Sequence, residues 1–265
     1  MDYALEDFFG SSPKTIMNDT TIPSNYSELN YVPAEIPNYL NELLQLEAVG
    51  SKDWLTNKVD RCVGGKVAKQ QCVGPLQLPL NNVGVMALDF KGKEGLATSI
   101  GHSPVAALID AAAGSRTAIG EALSNLVWAP LKEGMHSVSL SANWMWACKN
   151  AGEDARLYEA VESCANFAIE LGINIPTGKD SLSMKQKYPG DEVIAPGTVI
   201  ISAAGNCSNI TKVVEPVLQR NGGNIYYLNL SQDTFKLGGS SFAQILNKIG
   251  TEVPTIKDAA FFKKA

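Results

Sequence analysis

Apolar residues fall at helical spacing in three parts of this 265-residue chain. Leu40, Leu43, Leu44 and Leu46 predict a short helix ahead of Gly50. Ile119, Ala122, Leu123, Leu126 and Val127 share one stripe of a helix that Asp110 can cap and that runs to about Trp128, stopped by Pro130. Leu157, Val161, Cys164, Ala168 and Leu171 predict the buried stripe of a third helix. It starts near Glu153, with acidic residues in a first turn that suits the helix dipole, and ends at Gly172. Strands are predicted over 83–90, 137–142, 174–177 and 199–207. Residues 11–38 are rich in Ser, Thr, Asn and Pro and read as a linker hugging the surface. Beyond Thr211 the pattern gives a turn at 219–223, a strand at 225–230 and helices at 240–249 and 257–264.

Composition narrows the class. A hydrophobic share of 45% with 18% charged residues describes a globular protein with a sizeable core. The net charge of −5, with Lys and Arg scattered, argues against nucleic acid as a partner. Five cysteines (62, 72, 148, 164, 207) form no CxxC pair, and there are only two histidines, so reduced thiols in a cytoplasmic protein are expected. No stretch reads as a signal peptide, and no apolar run approaches the ~18 residues of a membrane span, so no membrane partner is expected.

Candidate chemistry lies in two glycine-punctuated segments, 60–80 (DRCVGGKVAKQQCVGPLQLPL) and 177–184 (TGKDSLSM). Glycine admits close backbone approach, and Lys with Ser adds donors for phosphate oxygens. Neither segment has the P-loop spacing, and each reads equally as an ordinary turn. Lys66 and Lys69 face phosphate in one reading and are exposed strand lysines in the other. Glu121 and Asn125, four apart, project from one helix face. Together they can ligate Mg2+, or can simply form a solvated face. Trp144 and Trp146 read as core or interface anchors. His102 and His136 have no partner at suggestive spacing, and no Cys lies in a nucleophile elbow.

DRCVGGKVAKQQCVGP, GEALSN at 120–125, SANWMW at 141–146 and GKDSLSM at 178–184 stand in an order and spacing that resemble the large phosphoribosylformylglycinamidine synthases. These are the formylglycinamide ribonucleotide amidotransferases, and the resemblance runs from about Leu5 to the last residue. It implies an α+β fold like that of aminoimidazole ribonucleotide synthetase: an N-terminal subdomain of mixed sheet and helices at 51–208, after a linker and short helix at 1–50. The start of an α/β C-terminal subdomain would occupy 209–265. On this resemblance the chain is a piece of the second synthetase half of a larger enzyme, whose partners are the other half and a glutaminase. That enzyme makes formylglycinamidine ribonucleotide from formylglycinamide ribonucleotide, glutamine and ATP. The piece alone is expected to be inactive and to self-associate through the sheet that its sister half would cover.

The resemblance implies ATP or ADP with Mg2+ as cofactors. Glu121 and Asn125 would be metal ligands, and Asn82 stands where the family has a ligating aspartate, which weakens the charge there. Asn81, Lys52, Lys179, Asp180 and Ser181 would contact nucleotide, with 178–181 following a strand as a loop. A non-catalytic nucleotide-binding or scaffold module is the alternative. A thiamine phosphate kinase or selenophosphate synthetase fits less well, because no DGVGTK-like or GGD-type acidic motif is present.

Overall fold

Residues 95–102 (GLATSIGH) alternate between buried and exposed without a break, yet the larger side chains are the exposed ones. Gly95, Ala97, Ser99 and Gly101 face inward, while Leu96, Thr98, Ile100 and His102 face outward. The inversion has a steric cause. A Cβ on Gly101 would sit 2.1 Å from the Ala118 carbonyl oxygen, so a helix backbone lies directly against this strand. The strand, absent from the pattern-based reading, is central to the sheet.

The computed structural model describes residues 2–10, 14, 16, 17, 20–51 and 65–265. Its helices are α1 (Leu5–Phe9), α2 (Ile36–Gln45), α3 (Pro104–Ile109), α4 (Ala111–Leu126), α5 (Glu153–Leu171), α6 (Ser241–Ile245) and α7 (Ala259–Lys264). The strands are β1 (Val67–Lys69), β2 (Gly84–Ala87), β3 (Gly95–His102), β4 (Lys132–Met135) and β5 (Val138–Met145), then β6 (Asn174–Ser181), β7 (Lys185–Tyr188), β8 (Asp191–Ile194) and β9 (Thr198–Cys207). One sheet has the order β1-β2-β3-β9-β5-β6, and β7 pairs with β8 as a separate hairpin. Only β5 and β6 run parallel, joined through α5; the other neighbours are antiparallel. This is the expected α+β arrangement with a mixed sheet.

Helices α4 and α5 cover one face of the sheet. Asp110 caps α4 by accepting from the Ala113 N–H, and Ile119, Leu123 and Leu126 pack on Val85, Ala97, Leu140 and Ile201. Phe167 and Leu171 of α5 complete the core. At about 25 cal/mol per Å2 of apolar surface buried, side chains of this size contribute about 1.5–3 kcal/mol each. Val161 and Val127, expected on buried stripes, are exposed. The true stripe of α5 runs through Ala160 and Phe167, one position round from Val161, and Val127 falls after the last residue of α4.

The chain after the single 3-10 turn Ile210–Lys212 returns to the same core. Ile256 and Phe262 are buried in it, and Arg116 Nε donates to the Ile256 carbonyl oxygen at 2.8 Å. The strand expected at 225–230 is not one: 222–229 form no regular element, and Ile225 is 85% exposed. β-prone residues make a strand only where a neighbour accepts their backbone hydrogen bonds, and none of the described strands pairs with this segment. Of the stretch 11–38 expected to hug the surface, the described residues 20–38 run along it, and α2 follows. Tyr31 and Tyr39 meet Phe242 edge-on, and Lys248 Nζ donates to the Glu28 carbonyl oxygen.

Candidate functional site

β2 pairs with β3 only from Gly84↔Thr98 to Ala87↔Gly95. Beyond Thr98 that side of β3 has no strand, and its backbone groups must find other partners. Helix α4 provides them. Glu121 Oε2 accepts the His102 N–H at 2.7 Å, and Asn125 Nδ2 donates to the Ile100 carbonyl oxygen at 3.2 Å. The geometry matches: two residues along a strand advance about 6.8 Å, and four along a helix about 6 Å. The close approach at Gly101 brings the two elements within side-chain reach.

This corner opens into a cavity of about 810 Å3. Asn81 and Asn82, just before β2, and Glu121 and Asn125 all line it. The cavity continues over the uncovered sheet face past Thr98, Ser141, Ser202 and Thr177. Asn81 Nδ2 donates to the Gln70 carbonyl oxygen, which fixes the amide against the segment before it. Among the described residues lining the cavity, Lys69 and Glu121 alone carry charge, and Lys69 is already paired with Glu215. Glu121 is 44% exposed, and among the described residues no side-chain or backbone donor meets its Oε1.

Four of the sequence-predicted residues therefore meet. Others do not. Lys179, Asp180 and Ser181 were expected in a loop but belong to β6 itself, paired with Asn143, Trp144 and Met145, and of that segment only Thr177 lines the cavity. The strand runs on because β5 extends to Met145 and supplies a partner for each added residue. Lys179 Nζ turns to Ser181 Oγ. Lys66 donates to the Leu88 carbonyl oxygen rather than into the cavity. Lys52 lies outside the described residues. Trp146 is buried, as a core anchor should be. His102 has a partner after all: its Nδ1 is 3.8 Å from Glu121 Oε2. The signal that could have found it is the two-residue alternation of 95–102, which places it at the end of a strand.

Among the described residues no three His, Cys, Asp or Glu side chains gather as a metal cage. One carboxylate with two amide oxygens nevertheless fits a hard cation that keeps waters and takes phosphate oxygens as its remaining ligands. A calcium-type cage of several carboxylates does not fit.

These features define an α+β protein with helices on one face of a mixed sheet and a cavity, apolar for the most part, reaching across the other. Residues 51–206 match the family described as FGAR-AT PurM_N-like domain. The chain belongs to that family, of the formylglycinamide ribonucleotide amidotransferases. It is 41% identical over 259 residues to the phosphoribosylformylglycinamidine synthase of Homo sapiens, covering 97% of this chain and 19% of that protein. It is 44% identical over 223 residues to that of Dictyostelium discoideum, covering 81% and 16%. T. maritima PurL complexed with ADP is similar at a TM-score of 0.49 and 18% identity, over 79% of this chain and 30% of that one. The chain spans about a fifth of the length of the curated relatives it matches.

Proposed function

We propose that this chain is part of an ATP-dependent phosphoribosylformylglycinamidine synthase and contributes a nucleotide–magnesium site to it. The complete enzyme would convert formylglycinamide ribonucleotide, glutamine, ATP and water into formylglycinamidine ribonucleotide, glutamate, ADP and phosphate. It would be a carbon–nitrogen ligase of purine biosynthesis, cytoplasmic, with a second synthetase half and a glutaminase as partners. The observation that carries the reading is the convergence of Asn81, Asn82, Glu121 and Asn125 on one cavity, from a loop and a helix 39 positions apart between Asn82 and Glu121.

In this reading Glu121, held by the His102 N–H, presents its Oε1 to the cation, and Asn82 and Asn125 offer amide oxygens. Magnesium would supply charge neutralisation at the phosphates. Asn81 orients the nucleotide, and Lys179, Asp180 and Ser181 lie farther along β6, toward the other end of the open face. Lys52 is a nucleotide contact in the same proposal. Asn82 brings no charge, so the site depends on Glu121 alone for its protein anion.

A second reading has its own support. Glu121 and Asn125 hydrogen-bond the unpaired stretch of β3, and a scaffold needs them for that alone. Thermal denaturation with and without ADP and Mg2+ separates the two: a ligand bound only to the folded chain raises the melting temperature. A rise that requires both components supports the site, and none supports the scaffold. The chain alone is expected to form no amidine from ATP, ammonia and formylglycinamide ribonucleotide. Turnover above a protein-free control overturns that expectation.

A further inference from the structure

Asn221 is the one asparagine of this chain followed by glycine. It lies in the turn from Gln219 to Gly222, and every residue from 218 to 228 is exposed. Its φ is +60°, in the left-handed region that asparagine tolerates. Among the described residues no hydrogen bond holds its side-chain amide. One backbone–backbone hydrogen bond closes the turn, from the Gly222 N–H to the Gln219 carbonyl oxygen at 3.0 Å. Gly222 and Gly223 follow, so no side chain shields the next amide nitrogen and the main chain rotates freely.

Other asparagines are held or crowded. Asn150 also precedes a small residue, Ala151, but its Nδ2 donates to the Ala147 carbonyl oxygen at 2.8 Å and its Oδ1 accepts from Lys185 Nζ at 3.4 Å. Asn229 Oδ1 accepts from the Ser231 N–H at 3.2 Å and from the Ser231 hydroxyl at 2.6 Å. Asn224 is exposed, but its amide donates to the Tyr226 hydroxyl at 3.3 Å and the β-branched Ile225 follows it, crowding the next nitrogen.

We infer that Asn221 is a site of spontaneous deamidation, through a cyclic imide formed with Gly222. A base takes the Gly222 amide proton, and that nitrogen attacks Asn221 Cγ. The new C–N bond closes a succinimide ring, the Cγ–Nδ2 bond breaks, and ammonia leaves. Water then opens the ring at either carbonyl. One opening gives aspartate with the original peptide link. The other gives isoaspartate, with the main chain routed through the former side chain. Nothing is oxidised or reduced. The imide nitrogen carries no hydrogen, so the bond to Gln219 is lost and the turn opens. Each conversion adds one negative charge to a chain of net −5.

The test incubates the whole folded chain in mildly alkaline buffer and then cuts it after lysine. Chromatography and mass spectrometry of the fragment 213–236 separate the amide, aspartate and isoaspartate forms. That fragment holds Asn224 and Asn229 as internal controls. Conversion should gather at Asn221, give both products, quicken as the pH is raised, and disappear in Asn221→Gln. Conversion of Asn224 or Asn229 as fast as that of Asn221 overturns the proposal. An Asn221 that stays amidated in the folded chain while the free peptide 213–236 converts overturns it equally, because the turn bond then protects the site.

Discussion

Glu121 carries two roles that substitution can separate. Its Oε2 accepts the His102 N–H at 2.7 Å, and in the proposed site it supplies the one anion among the described residues lining the cavity. Glu121→Ala removes both roles. A hydrogen bond to a charged group contributes about 1.5–3 kcal/mol when buried. With the Glu121 side chain 44% exposed, water replaces much of it, and about 1 kcal/mol is the expected loss. For a chain of this size that is about 2–4 °C in melting temperature. Glu121→Gln keeps an acceptor for the His102 N–H and removes only the charge, so the ligand-free melting temperature should move by less than half as much. With ADP and Mg2+ at about 100 times their dissociation constant, the parent should gain about 2.7 kcal/mol, or about 5–10 °C. Glu121→Gln should lose that gain although its fold is intact. Differential scanning fluorimetry of the three proteins, with and without ligand, reads all of this. A full ligand shift retained in Glu121→Gln refutes the charge argument. Equal ligand-free losses in Glu121→Ala and Glu121→Gln refute the edge-capping argument.

The uncovered face of the sheet exposes Met86, Leu96 and Ile100. The chain should therefore self-associate, and Ile100→Lys should shift it toward monomer in sedimentation; a parent that stays monomeric over a wide concentration range rules this out. Asp233 is buried with Lys257 Nζ at 2.7 Å, and the N–H groups of Thr234 and Thr255 also reach its carboxylate. Lys257 first, then those N–H groups, hold the carboxyl well below its usual range against the cost of burial. A depressed folded-state pKa gives stability that is full above the unfolded value of about 3.9 and lost as pH falls below it. Urea midpoints should drop less between pH 5 and 3 in Asp233→Asn than in the parent, and equal drops would count against the ion pair. Burial, then Asp154, pushes the Cys148 thiol up to about 11. Its thiolate fraction near pH 8 is then on the order of one in a thousand, so iodoacetamide labelling followed by mass spectrometry should find it slow, and labelling at the rate of free glutathione would contradict that.

Local periodicity carried the helices and several strands. Asp110 precedes an apolar stripe with period 3.6, and α4 starts beside it because a carboxylate at that position satisfies a free N–H whatever the rest of the chain does. β9 and β5 were readable for the same kind of reason, since alternation reports one buried face. Glu121 and Asn125 were legible as a pair because four residues on a helix return to one face. The approach of Asn81 and Asn82 to that pair came only from resemblance, and the fold brings all four to one cavity.

What remained belongs to the packing of elements distant in sequence. β3 buries its small residues and exposes its large ones because α4 lies against Gly101, so its pattern points the wrong way until the helix is in place. The meeting of His102 with Glu121 depends on that contact and on β2 ending its pairing at Thr98. GKDS was expected to follow a strand ending at Thr177, with Asp180 and Ser181 free to close a turn, but eight residues of β5 supplied an edge and β6 ran on to Ser181. Residues 225–230 show the converse: strong β preference without an edge to pair with leaves no strand. A sequence sets which backbone conformations are cheap locally; whether a strand forms, and what its side chains meet, depends on a neighbour that only the folded chain provides.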